Sequence, residues 1–145
     1  MIGKIKKFDE KLYNKYDQPA RKIIQEKLKE NIEDNPDIYG EDMIIKNENC
    51  KYKYLELQVC CNWISDKFPY QKPFVYARKK LFSDDTLFII FNKNFTTGLL
   101  FDKKSLSAEA RRVKKYSRYY VYDIPWHRIL RINIEDLNIE TINSY

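Results

Sequence analysis

The chain has 145 residues, 43% of them hydrophobic and 15% aromatic, with 12 Tyr and 8 Phe, which excludes a disordered chain and suits one domain, 1–145, with a core that needs no covalent staples. Lys and Arg number 27 against 21 acids, a net charge of +6, and this basic excess points to a polyanionic partner. Three cysteines, Cys50, Cys60 and Cys61, an odd count with an adjacent pair, suit a reducing compartment rather than a disulfide framework, and the lack of a Cys-x-x-Cys pair argues against a structural zinc; no apolar run approaches the ~18 residues of a membrane span.

The first predicted element is a helix over 17–34. Ala20, Ile23, Ile24, Leu28 and Ile32 recur at three and four positions and make one apolar stripe. Asp17 fits its N-cap and Pro19 its first turn, and Asn35-Pro36 ends it. The opposite face carries Lys22, Glu26, Lys29, Glu30 and Glu33 and is solvated. After Gly40 the period changes to that of strands: 42–46, a turn over 47–50, and a second strand over 51–61. Leu55, Leu57 and Val59 take one side of that strand, and Tyr54, Glu56 and Gln58 the other. Residues 73–81 read as a third strand or a short helix. Ser83, Asp84 and Asp85 mark a turn. The run TLFIIFN over 86–92 is nearly all apolar, as in a strand buried on both faces, and 98–102 supplies its hairpin partner. Residues 107–116 read as helix or loop, and 119–124 and 127–132 as late strands separated by Pro125. The expected fold class is α+β, an N-terminal helix packed on a mixed, mostly antiparallel sheet.

Chemistry is expected where the first two strands meet. If they form a hairpin, Asp42 lies beside Glu56, and two carboxylates converging at a strand edge supply hard oxygen ligands for Mg²⁺ or Mn²⁺. Such an ion lowers the pKa of a bound water and stabilises charge on an attacked phosphate. Gln58 shares the face of Glu56 and is placed to orient that water, and the Leu57 carbonyl between them is an additional ligand. The bland alternative is that Glu56 and Gln58 decorate the solvent face of a half-buried strand.

The order helix, strand with Asp42, strand with Glu56-Leu57-Gln58 resembles the PD-(D/E)xK nuclease superfamily over residues 17–60. The resemblance implies a metal-dependent endonuclease acting on DNA or RNA phosphodiester bonds, with Asp42 and Glu56 as metal ligands and Asp42, Glu56 and Gln58 as the catalytic set. Three departures stand beside it. Gln58 occupies the place of the superfamily's lysine, as in its acid-x-Gln restriction endonucleases, so Arg78 or Lys79 from the next element is the substitute cation. Glu41 stands where the superfamily has proline, and its second core helix is not legible.

The segment 111–122 interleaves five cations with four tyrosines, the pattern of a surface that tracks phosphates and stacks on bases. Arg111, Arg112, Lys114, Lys115 and Arg118 are the candidate phosphate contacts, and Arg78 and Lys79 extend the track. A solvated charge run is the plain alternative. Trp63, Phe68, Tyr70 and Phe74 are expected to pack under a loop, and His127 to be structural. The expected partner is nucleic acid, with DNA favoured, and a homodimer is the default assembly. The opening residues MIGKIKKFDE show no signal-peptide core, so an intracellular place is expected: cytoplasm, nucleus, or a viral factory or virion. The richness in Lys, Asn and Ile suggests an AT-rich genome such as that of a large DNA virus. Two other readings carry weight: a nucleic-acid-binding or packaging protein that does not cut, and a protein-interaction module with a tyrosine interface.

Overall fold

A computed structural model describes residues 13–113 and 120–145. The chain enters through a π turn, Tyr13–Asp17, into helix α1, Gln18–Leu28, with Pro19 in its first turn. Ala20, Ile24 and Leu28 form the predicted stripe and are fully buried. The helix ends well before 34, and Asp17 makes no side-chain cap. Lys29 sits at φ 50°, outside the right-handed helical region. A 3-10 turn, Lys29–Asn31, then leads into strand β1, Ile32–Asp34. Ile32 is buried as expected, but a strand carries it into the core.

Strands β2, Met43–Ile45, and β3, Tyr54–Val59, form the predicted antiparallel hairpin, with Met43 opposite Leu55. Both alternatives for 73–81 are present: strand β4, Phe74–Tyr76, runs into a 3-10 turn, Ala77–Leu81. Strand β4 leaves the main sheet, so the chain crosses over and strand β5, Thr86–Phe91, returns parallel to β3. This is the parallel pair of a sheet otherwise antiparallel. Strand β6, Thr97–Asp102, pairs antiparallel with β5 as predicted. The remaining strands are β7, Arg111–Arg112, β8, Tyr120–Asp123, and β9, Leu130–Asn133. Among the described residues there is a six-stranded sheet in the order β1-β2-β3-β5-β6-β9 and a three-stranded sheet in the order β4-β8-β7. The chain closes on helix α2, Ile139–Ser144, capped reciprocally by Asn138 and Thr141. The class is α+β, with a helix on a mixed, mostly antiparallel sheet.

Strand β5 explains itself. Leu87, Ile89 and Phe91 pack toward α1 with Leu55, Leu57 and Leu100. Phe88 and Ile90 pack the other way with Trp63, Val75, Phe101 and Tyr122. A strand covered on both faces has no polar face to show, hence its uninterrupted apolar run. Phe88 and Phe101 are cross-strand partners with stacked rings 5.3 Å apart. Each large side chain buried here contributes about 1.5–3 kcal/mol. Among the described residues no helix is long and apolar enough to cross a membrane.

The second layer changes the setting of Glu56. Its side of β3 would face water in a simple hairpin, but the segment from β4 to the following 3-10 turn lies over it. Glu56 is only 4% exposed, so the solvent-face alternative is corrected.

Candidate functional site

Strand β2 begins one residue after Asp42, and extending its register places Asp42 opposite Glu56. The two residues interlock. The Asp42 N–H donates to Glu56 Oε1 at 3.1 Å, and Asp42 Oδ2 accepts the Leu57 N–H at 2.9 Å. A strand residue directs its N–H and C=O to the same edge, so the Leu57 carbonyl also lies on the Asp42 side.

Cations approach this pair from both layers. From α1, Arg21 donates through Nη2 to Asp42 Oδ1 at 2.8 Å and through Nη1 to the Asp42 carbonyl at 3.0 Å. From the 3-10 turn after β4, Lys79 places Nζ 3.1 Å from Glu56 Oε2 and donates to Gln58 Oε1 at 3.1 Å. Gln58 Nε2 in turn donates to the Phe74 carbonyl at 3.0 Å. Gln58 is therefore engaged at both ends of its amide, by Lys79 and by strand β4. Beside Arg21 and Asp42, the gap bounded also by Asp17, Ala20, Leu57 and Val59 is too narrow to admit a water.

The electrostatics follow from burial. Burial pushes the Glu56 carboxyl up, the Lys79 charge opposes this, and the nearby Asp42 carboxylate pushes it further up. Burial pulls the Lys79 ammonium down, Glu56 opposes that, and Arg78 adds to it. Two carboxylates this close in a dry site favour a shared positive charge. Lys79 meets that demand within the protein.

The donor set also suits a hard divalent cation, because Mg²⁺ is usually bound through one or two carboxylates with its remaining positions left to water and phosphate. Glu41 is not a third ligand: its Oε2 accepts from Thr86 Oγ1 at 2.6 Å and from the Ser83 N–H at 3.0 Å. Among the described residues no group of three or more His, Cys, Asp or Glu side chains could hold a metal ion.

The structure thus brings together Asp42, Glu56, Gln58 and Lys79, and adds Arg21, which the sequence reading did not single out. Its only local signal is a position next to the apolar stripe of α1. Arg78 is half-buried beside Lys79. Lys79 is 4% exposed, so it belongs to the interior of the site and not to a surface track, a correction forced by the layer that covers it. Arg111 is held by Asp123 through two bonds of 2.9 Å, and Arg112 is exposed on β7. Lys114, Lys115 and Arg118 lie outside the described residues. Asp84 pairs with Lys103 at 3.2 Å in the predicted turn. Trp63 and Phe68 pack edge to face, 5.2 Å apart, in the core as expected.

Comparison with known proteins finds no matching family model, no matching curated protein and no matching solved structure.

Proposed function

We propose that the protein is a metal-dependent endonuclease of PD-(D/E)xK type, acting on DNA or RNA phosphodiester bonds. The observation that carries this reading is the meeting of Asp42, Glu56 and Lys79 at one strand edge. An acid, a second acid and a lysine are the functional set of that superfamily, with the lysine here supplied from position 79 in place of position 58. Helix α1 followed by the strands that carry Asp42 and Glu56 keeps the order on which the resemblance rests, while the connection from β3 to β5 holds β4 and a 3-10 turn in place of a second core helix.

Asp42 and Glu56, with the Leu57 carbonyl, would hold Mg²⁺ or Mn²⁺, which supplies Lewis-acid activation of water and of the scissile phosphate. Arg21 orients the Asp42 carboxylate from the helix side. Lys79 opposes the burial that raises the Glu56 carboxyl, favouring its ionised form, and offers a positive charge where phosphate charge develops. Gln58 is a positioning residue for Lys79. The test is incubation with Mg²⁺ or Mn²⁺ and single- and double-stranded DNA and RNA. Cutting by the wild type that disappears in Glu56→Ala supports the reading, and a wild type that cuts none of the four contradicts it.

A second reading, a nucleic-acid binder that does not cut, is favoured by one observation. Each of the four carboxylate oxygens of Asp42 and Glu56 already accepts a protein donor. It predicts salt-sensitive binding that survives Glu56→Ala and no cleavage with any metal.

A further inference from the structure

A second concave site lies apart from the Asp42–Glu56 residues, where the segments 104–107 and 123–128 face Lys72. Its cavity of about 340 Å³ is lined by Lys72, Lys104, His127 and Arg128, with the hydroxyl-bearing Ser105 and Ser107 between them. Lys72, Lys104, His127 and Arg128 are exposed. The acids nearby are already matched. Asp123, which lines the cavity, is bound through both carboxylate oxygens by Arg111. Asp102 accepts from Ser105 Oγ at 2.7 Å and pairs with Arg128 Nη2 at 3.5 Å. With Arg128 offset by Asp102, Lys72 and Lys104 carry the excess positive charge of the cavity.

Arg128 is also pre-set. Its Nε donates to Ser105 Oγ at 3.2 Å, and the Tyr145 hydroxyl donates to its carbonyl. Fixing a guanidinium in advance lowers the ordering cost of binding an anion, here through the Nη1 that neither Ser105 nor Asp102 holds.

The size says what carries the anion. A bare phosphate would leave most of this volume empty, whereas pockets of about 300–1,000 Å³ hold ligands of cofactor size. Trp126 stands on the same 3-10 turn as His127 and Arg128. Its indole N–H is spent on the Gln71 carbonyl at 2.8 Å, and its ring rests edge to face on Phe68. The ring is thus held in place next in sequence to His127, which lines the cavity, and remains 42% exposed.

We infer that the Lys72–Lys104–His127–Arg128 cavity is a nucleotide-phosphate site, with Trp126 as the stacking surface for the base. The phosphate is that of a free mononucleotide or of the phosphorylated end of a nucleic-acid strand. The assignment is independent of cutting at Asp42 and Glu56, because it is read by binding alone.

The experiment titrates the full chain with adenosine 5′-monophosphate, with inorganic phosphate, and with one short oligodeoxynucleotide bearing a 5′-phosphate or a 5′-hydroxyl, without metal. Calorimetry gives the affinities, and circular dichroism checks the folding of each variant. Nucleotide binding is expected to weaken about tenfold or more in Lys72→Glu/Lys104→Glu, because two phosphate contacts become repulsive. The milder Lys72→Ala/Lys104→Ala gives the same direction if the reversal fails to fold. Trp126→Ala should weaken the mononucleotide but not inorganic phosphate. A 5′-phosphorylated strand that binds more tightly than both the mononucleotide and the 5′-hydroxyl strand identifies a strand end as the source. A mononucleotide that binds as tightly as the phosphorylated strand identifies the free nucleotide. No binding of any phosphate-bearing probe, or binding unchanged in the folded lysine variants, overturns the assignment.

Discussion

The Lys79 ammonium lies 3.1 Å from Glu56 Oε2, and both side chains are 5% exposed. Neither residue could stay charged there alone without a large cost, because an ionised group of either sign in the interior costs several kcal/mol unless it is matched. Burial therefore makes position 79 as much a part of the site as position 56.

That mutual dependence has a direct consequence for stability. Removing one member of a buried pair costs about 3–5 kcal/mol, whereas removing both is far milder. Lys79→Met should lower the free energy of unfolding in urea by that amount. Glu56→Gln/Lys79→Met should recover much of it. A loss below about 1 kcal/mol in the single variant would place the pair in water instead.

The same variant should be sensitive to pH. Glu56 is raised above its ordinary value of 4.5, and the Lys79 charge is the principal influence lowering it. Without that charge the folded carboxyl rises further. The unfolded state then releases its proton first, so ΔG of unfolding falls as pH rises. The linked stability is fully present below pH 4.5 and is lost as pH climbs through the raised folded value. Urea midpoints of Lys79→Met should fall between mildly acidic and mildly alkaline pH more steeply than those of Glu56→Gln/Lys79→Met. Parallel profiles would contradict the account.

Gly98 tests the packing of the sheet. A Cβ built there meets Ile134 Cδ1 at 2.9 Å and Ile89 Cγ2 at 3.4 Å. Gly98→Ala should destabilise by about 1–3 kcal/mol through overpacking, with the midpoint of thermal unfolding as the readout. A neutral effect would mean that Ile134 moves aside freely.

The elements show which signals were local. The Ala20, Ile24, Leu28 stripe and the Leu55, Leu57 alternation were legible because each needs only its own period. The TLFIIF run was legible because both its faces are covered. Ile32 fits the helical spacing as well, but the backbone turns out of the helix at Lys29, and nothing in the apolar pattern marks that break. The burial of Glu56 was not legible, because it depends on a segment about twenty residues later folding over β3. The parallel pairing of β3 with β5 was hidden for the same reason. Lys79 was legible as a substitute cation but was also assigned to a surface track; only the covering layer separates the two roles. Arg21 had no signal beyond its place beside the stripe.

The position of the cation can be exchanged. Lys79 and Gln58 are hydrogen-bonded neighbours, so Gln58→Lys/Lys79→Gln moves the ammonium to the strand position used by the PD-(D/E)xK superfamily. Under the proposed activity, Lys79→Gln alone should lower the cleavage rate about 100-fold or more, the scale of one lost electrostatic contact. The exchange should restore at least part of it. A double variant as slow as the single one would show that position 79 has a role beyond its charge.

The most direct test of the central claim is the single-turnover cleavage rate in Mg²⁺ or Mn²⁺, with enzyme in excess over DNA or RNA, for the wild type, Lys79→Gln and Glu56→Ala. Binding of the same substrate is measured in parallel. The account predicts cleavage by the wild type, a large loss in both variants, and binding largely retained. Cleavage that persists in folded Glu56→Ala, or a wild type that binds nucleic acid without cutting it, would contradict it.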